Sequence, residues 1–175
     1  ERLGVNMAFA VEAWWSNAVT PLAYLADKPS RIRLGTGIMQ TTARTPVMTA
    51  MTALTLHDLN GGSFVLGLGA SGPQVVEGLH GIRYAKALTR LRETVEICRM
   101  VFAGEKVRYA GKIFELPLPV SEGKAIRISH DPVSIPIYLA TLGPNALRYT
   151  GAAADGWIGT SILARSRRGT SRPSA

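Results

Sequence analysis

The sequence predicts an α/β fold built on parallel strands, and three observations support this prediction. Strand-like and helix-like segments alternate in the order βαβαβα, followed by a loop-rich stretch and then βαβ. Such alternation is typical of parallel strands joined by right-handed crossovers. The third strand segment is apolar almost throughout, which suits burial on both faces of a sheet. Five strands in residues 1–163 extrapolate to about 260 residues for eight, a usual size for a (β/α)8 barrel, although a doubly wound sheet also fits the pattern.

Composition sets the broad class of the chain. Of its 175 residues, 46% are hydrophobic and 18% are charged, which is enough apolar content for an ordinary core. The single cysteine, Cys98, excludes a disulfide framework and a cysteine-based zinc site. No apolar run reaches the roughly 20 residues that span a bilayer, and no signal-peptide pattern is present. We therefore expect a cytoplasmic protein without a membrane partner.

The positive charge of the chain is unevenly distributed. Twenty Lys+Arg against 12 Asp+Glu give a formal net charge of +8, and four of the arginines lie in residues 164–175. Removing them leaves 8 − 4 = +4 on residues 1–163. We predict a folded domain at 1–163 and a disordered basic tail at 164–175. A basic nucleic-acid-binding protein is an alternative, but interleaved aromatic and basic stripes are missing, so we expect no nucleic-acid partner.

The first half of the chain supplies three predicted strands and two predicted helices. Pro21 suits the first turn of the first helix, and Thr45 followed by Pro46 is typical of an N-cap and first helical position. In chain order, the predicted elements are a strand at 6–11, a helix at 19–26, a strand at 31–39, a helix at 45–59 and a strand at 63–69.

The second half begins with a long helix predicted at 85–102. Its apolar residues recur at spacings of 3 and 4 and include Cys98, which we expect to be buried rather than reactive. The remaining predicted elements are a small hairpin at 107–114 within a loop-rich excursion at 105–134, a strand at 135–140, a helix at 143–154 and a strand at 155–158.

The functional site is expected at the carboxyl ends of the strands, because ligands bind there in both the (β/α)8 barrel and the doubly wound sheet. The segments there are rich in glycine and small hydroxyl residues and poor in His, Cys and paired carboxylates. No metal-ligand cluster and no Ser/His/Asp arrangement can be assembled from them, so we predict no metal and a cofactor that brings its own reactivity. These segments are residues 12–15, 38–42, 69–72, 141–145 and 159–161.

Two residues near this edge are candidates for proton transfer. Glu12 ends the first strand, where a carboxylate could be a proton donor or a buried structural partner. His80 follows the third strand and could face the cofactor. Trp14 and Trp15 could form the wall of a pocket, or they could belong to the core.

Glycines and helix starts suggest how a cofactor could be held. Gly143, Pro144 and Asn145 open a helix directly after a strand, where free N–H groups favour an anion, although the same pattern fits a simple turn. Thr160 and Ser161, after the next strand, could donate to the same phosphate. Glycines at 35, 37, 67 and 69 fit either a flat ring lying against backbone or tight packing inside a barrel.

Several motifs together resemble the bacterial luciferase-like flavin and deazaflavin oxidoreductases. The segment SGPQVVEG at 71–78 and the segment EGKA at 122–125 are similar to the branch that uses the deazaflavin coenzyme F420. The resemblance covers about residues 1–161, and its remaining motifs are RIRLGTGI at 31–38, TP at 45–46, LNGGSFVLGLG at 59–69 and ADGWI at 154–158.

The resemblance implies an incomplete (β/α)8 TIM-type barrel, with about five of eight strands, and a cofactor ring across its carboxyl-end mouth. It implies a non-prolyl cis peptide between Gly37 and Ile38 against the ring, and phosphate contacts from residues 143–145 and 159–161. Glu12 and His80 are the expected catalytic residues. The expected cofactor-binding residues are Gly37, Ile38, Gln40, Ala70, Ser71, Gly143, Pro144, Asn145, Thr160 and Ser161.

The implied reaction is hydride transfer between reduced coenzyme F420 and an unknown small organic substrate. An FMN-dependent monooxygenase is the alternative, as is an inactive fragment. Full-length members of the family are expected to be homo-oligomers. Relative to the family, the first strand and the seventh and eighth units are missing, and Leu79 stands where many relatives have Trp. An open five-strand array would expose apolar edges, so we expect the chain alone to be poorly stable.

Overall fold

A computed structural model describes residues 3–12, 15–28 and 31–159. The predictions for Trp14, Thr160, Ser161 and the tail at 164–175 lie outside these residues. The strands are β1 (Met7–Ala10), β2 (Arg33–Thr36), β3 (Met39–Gln40), β4 (Phe64–Gly69), β5 (Tyr109–Ala110), β6 (Glu115–Leu116), β7 (Ile137–Ala140) and β8 (Gly156–Trp157). The helices are α1 (Val19–Ala26), α2 (Pro46–Leu59), α3 (Pro73–Gly78), α4 (Ala87–Phe102) and α5 (Pro144–Ala153).

The order of the strands decides between the (β/α)8 barrel and the doubly wound sheet. The main sheet is parallel and runs β1-β2-β4-β7-β8, with β3 paired to β4. Each new strand is therefore added at the same edge, whereas a doubly wound sheet reverses direction at a switch point. The described chain is an incomplete TIM-type barrel, and the barrel prediction is confirmed.

The strand predicted at 31–39 is interrupted in the structure. It forms β2 and β3, separated by Gly37 and Ile38, whose peptide bond is cis as the resemblance implied. The Gly37 N–H donates to the carbonyl of Ala10 at 2.7 Å, and β3 resumes pairing with β4. The prediction of one continuous strand was wrong, because an apolar run does not show where the ladder breaks.

The core lies between the sheet and the outer helices, chiefly α2 and α4. As predicted, Thr45 caps α2, since its Oγ1 accepts the Met48 N–H at 3.3 Å, and Pro46 occupies the first helical turn. Within the described residues, no helix is long and apolar enough to cross a membrane.

Cys98 belongs to this core and should be unreactive in the folded chain. Its side chain is fully buried, with Sγ 3.7 Å from the carbonyl of Pro46, and burial raises its pKa to about 12. Because the thiolate is the reactive form, we expect a thiol reagent at neutral pH to label Cys98 only as fast as the chain unfolds. A labelling rate that equals that of a denatured sample, under conditions where circular dichroism shows a folded chain, would contradict this expectation.

Two local features differ from prediction. Helix α3 was not predicted, because six residues are too few to show a helical period. The hairpin turn lies later than expected, since β6 begins at Glu115. The carboxylate of Glu93 on α4 accepts the N–H groups of residues 112, 113 and 114 at 2.7, 3.0 and 2.9 Å. This contact anchors the hairpin to the outside of the barrel.

Candidate active site

A cleft of about 530 Å³ opens at the carboxyl ends of the parallel strands. This volume is within the usual range for small-molecule sites. Six of the predicted site residues line it: Glu12, Gly37, Ile38, Gln40, Ala70 and Ser71. Gly143, Pro144 and Asn145 do not line it, although their neighbours Leu142 and Ala146 do. Thr160 and Ser161 lie outside the described residues.

The cleft has an apolar wall that the sequence reasoning missed. Leu88 and Leu91 of α4 line it together with Ala140 and Ile158. The leucines belong to the helical stripe that the spacing assigned to the core. An apolar stripe does not show that the first turns of its helix extend past the core to the strand ends, where the cleft lies.

Glu12 is held by two neighbours at the rim of the cleft. Its Oε1 lies 2.6 Å from Nη1 of Arg44, and its Oε2 accepts the backbone N–H of Gln40 at 2.9 Å. The carboxylate side chain is 6% exposed and the Arg44 side chain is 19% exposed. The contacts match the structural-partner alternative for Glu12. Arg44 was not predicted, because nothing in its sequence spacing marks the pair.

His80 reaches the cleft only through Gln40. It lies exposed after α3, with Nε2 3.2 Å from Oε1 of Gln40, and it does not line the cleft. The structure therefore brings Glu12 and His80 to the same residue, since Gln40 contacts both. Trp15 is 84% exposed and is not part of the cleft wall.

The strand glycines serve mainly for close packing inside the barrel. A Cβ added at Gly67 would lie 1.8 Å from the carbonyl oxygen of Thr36. At Gly35 and Gly37 a Cβ would come within 2.8 and 2.9 Å of the Phe9 side chain. Gly37 and Gly69 also line the cleft, and a Cβ added at Gly69 would come within 2.9 Å of the Ile38 side chain. Close packing, one of the two alternatives that the sequence left open, therefore applies at all four glycines, and a ring lying against their backbone stays a prediction.

The start of α5 adds hydrogen-bond donors beside the cleft. Gly143 has a φ of 83°, and no side chain caps the helix. The first-turn N–H groups therefore have no side-chain acceptor, and they carry the positive end of the helix dipole. The side chain of Asn145 accepts a hydrogen bond from Arg148 at 2.7 Å. This is the geometry that the phosphate prediction requires, and the phosphate contact itself stays a prediction.

The part of the chain that the structure describes contains no cluster of metal-ligating side chains. Among residues 3–12, 15–28 and 31–159, no group of three or more His, Cys, Asp or Glu side chains could hold a metal ion.

Comparisons with known proteins agree with this architecture. The chain is 45% identical over 165 residues to a protein of Mycobacterium tuberculosis (strain ATCC 25618 / H37Rv) that is named as a coenzyme F420-dependent oxidoreductase, with 90% of this chain and 48% of the relative covered. It is 35% identical over 140 residues to the 5,10-methylenetetrahydromethanopterin reductase of Archaeoglobus fulgidus, with 80% and 40% covered.

Among solved structures, the coenzyme F420-dependent tetrahydromethanopterin reductase of Methanopyrus kandleri superposes with a TM-score of 0.72 at 25% identity. The match covers 88% of this chain and 47% of that one, so the chain spans about half the length of its relatives. The family profile described as luciferase-like monooxygenase matches residues 1–169. The chain therefore belongs to the luciferase-like monooxygenase family.

Proposed function

We propose that this chain is part of a deazaflavin-dependent oxidoreductase that transfers a hydride between coenzyme F420 and a small organic substrate. The observation that carries the proposal is the cleft itself, whose wall includes Gly37, Ile38 and Gly69 and which lies beside the uncapped first turn of α5. The relatives named for coenzyme F420 support the choice of cofactor. Because those relatives are about twice as long, we assign hydride transfer to the whole barrel and binding of the cofactor to the cleft that these residues form.

The residues present fit such a cofactor. A flat ring would lie against the cleft wall at Gly37, Ile38 and Gly69, and Leu88 and Leu91 would exclude water from it. The first turn of α5 would bind an anionic group of the cofactor through its N–H donors. The deazaflavin, when bound, supplies the hydride chemistry, so the protein needs to bind and orient rather than to provide a nucleophile.

Glu12 acts in this proposal as a structural partner and not as a proton donor. Both of its oxygens are engaged, one by Arg44 and one by the Gln40 N–H. The adjacent backbone is fixed as well, since the Glu12 N–H donates to the carbonyl of Ile38 at 3.3 Å. Glu12 therefore holds the segment at Ile38 and Gln40 against the cleft.

Binding of the cofactor through α5 can be tested with a charge at its first turn. Replacing Ala146, which lines the cleft, with glutamate places a carboxylate where we expect the phosphate. We predict at least about tenfold weaker binding of coenzyme F420, because like charges repel and the helix dipole is neutralised. Titration followed by cofactor fluorescence measures the change.

The matched control is Ala152→Glu, which adds the same charge at an exposed position near the other end of α5. We expect it to bind coenzyme F420 as the unmodified chain does. Tighter binding of FMN than of coenzyme F420 would favour the monooxygenase alternative. Failure of both cofactors to bind would contradict the proposal and favour an inactive fragment.

The partners of the whole protein also belong to the proposal. We infer a small organic substrate and an assembly of identical subunits, as the resemblance to the family implied. Absence of a nucleic-acid partner and a cytoplasmic location likewise stay predictions.

A further inference from the structure

Gln40 is fixed at two points beside the cleft. It ends β3, its exposed fraction is 6%, and it lines the cleft wall. Its backbone N–H donates to Glu12 Oε2 at 2.9 Å, and its side-chain Oε1 lies 3.2 Å from Nε2 of His80. The backbone and the side chain of one buried residue are therefore each held by a different neighbour.

The contact with His80 determines which end of the Gln40 amide remains available. A carboxamide oxygen only accepts hydrogen bonds, so Nε2 of His80 must carry the proton that it donates. The amide nitrogen of Gln40 then has no hydrogen-bond partner among the residues that the structure describes. The amide nitrogen is not among the buried side-chain atoms that lack a partner, so it reaches the open cleft that Gln40 lines and can donate to a ligand there.

We propose that Gln40 presents its amide N–H groups to a hydrogen-bond acceptor of the molecule in the cleft. The ligand chemistry that fits is a carbonyl oxygen or ring nitrogen at the edge of a flat heteroaromatic ring, since the apolar side chains of Leu88 and Leu91 line the same cleft. Only the identity of the ligand rests on the proposed function.

His80 is then a positioning residue for Gln40. It is exposed and does not line the cleft, so its effect on a ligand passes through the amide that it orients. The Arg44–Glu12 pair has the corresponding role for the backbone of Gln40. This role replaces the catalytic one that the sequence suggested for His80.

The first test needs no cofactor and reads the tautomer of His80 directly. Nitrogen-15 NMR of the full chain at alkaline pH shows which ring nitrogen carries the proton, and the chain has only three histidines to assign. We expect the proton of His80 on Nε2, and we expect Gln40→Leu to weaken that preference while the other histidines are unchanged. A proton on Nδ1 of His80 in the unmodified chain would overturn the proposed orientation.

The second test measures binding of coenzyme F420 and FMN by fluorescence. We expect Gln40→Leu, which keeps the backbone N–H, to weaken binding about tenfold, the size of one lost hydrogen bond. His80→Phe should weaken it less, and His80→Gln, which can still donate, should restore it. His130→Phe is the matched control, because His130 pairs with Asp58 instead.

Two results separate the possible failures. If Gln40→Leu binds both cofactors as tightly as the unmodified chain does, the donor role of Gln40 is wrong while the proposed function stands. If the unmodified chain binds neither cofactor, the proposed function is wrong, and the NMR result alone then decides whether His80 orients the amide.

Discussion

Replacement of Arg44 by methionine is expected to destabilise the chain by about 3 kcal/mol, the lower end of the range for breaking a buried ion pair. The reason is the surroundings of Glu12, whose side chain is 6% exposed and whose Oε1 lies 2.6 Å from Arg44 Nη1. Without Arg44 this carboxylate stays buried, and among residues 3–12, 15–28 and 31–159 it keeps one hydrogen-bond donor, the N–H of Gln40. Urea unfolding followed by circular dichroism measures the loss.

The matched control is Lys28→Met, which removes the cation of an exposed pair. Lys28 and Asp27 are 56% and 84% exposed at a separation of 3.4 Å, so we expect a change within about 0.5 kcal/mol. The double variant Glu12→Gln with Arg44→Met should be more stable than Arg44→Met alone, because no unpaired carboxylate remains. An Arg44→Met chain as stable as the Lys28→Met chain would show that the pair contributes nothing.

Gly67→Ala is expected to destabilise the chain by about 3 kcal/mol or more, since an added methyl group has no room. Its Cβ would lie 1.8 Å from the backbone oxygen of Thr36 and 2.8 Å from the side chain of Ile158. The Thr36 hydroxyl also donates to the Gly67 carbonyl and accepts its N–H, both at 2.8 Å. Because the closest atom is a backbone oxygen of β2, which cannot rotate away as a side chain can, strands β2 and β4 would have to separate.

Gly151→Ala provides the control for the same chemical change in open space. Gly151 lies in α5, and a Cβ added there would have no neighbouring atom within 4 Å outside its own helix backbone. Alanine there should raise the free energy of unfolding by up to about 1 kcal/mol, because it favours helix over glycine. Equal stability changes at residues 67 and 151, measured by urea unfolding, would contradict the packing argument.

Much of the secondary structure could be predicted from local sequence. The Thr45–Pro46 start of α2 follows from residue types that cap helices, and burial of Cys98 follows from its place in an apolar stripe. The break at Gly37 and the short helix α3 could not be predicted this way. Both are too short to produce a period, and pairing with neighbouring strands decides the first.

Some residues of the candidate site could likewise be predicted from the sequence, and others could not. Six predicted residues line the cleft, because strand ends can be located from sequence and parallel strands place those ends at one edge. Arg44 was missed because its partner Glu12 lies 32 residues away along the chain. The role of His80 could not be predicted either, since the chemistry of an imidazole depends on the atom it contacts, here Oε1 of Gln40.

The sequence by itself determined that this protein has parallel α/β architecture and a site at the carboxyl ends of its strands. Periodicity, helix caps and glycine positions are local, and they act through backbone geometry that neighbouring residues already define. Only the tertiary structure decided that the sheet is wound as a barrel, that Glu12 is paired with Arg44, and that His80 contacts Gln40. Those features depend on contacts between residues distant in sequence, which form only when the strands come together.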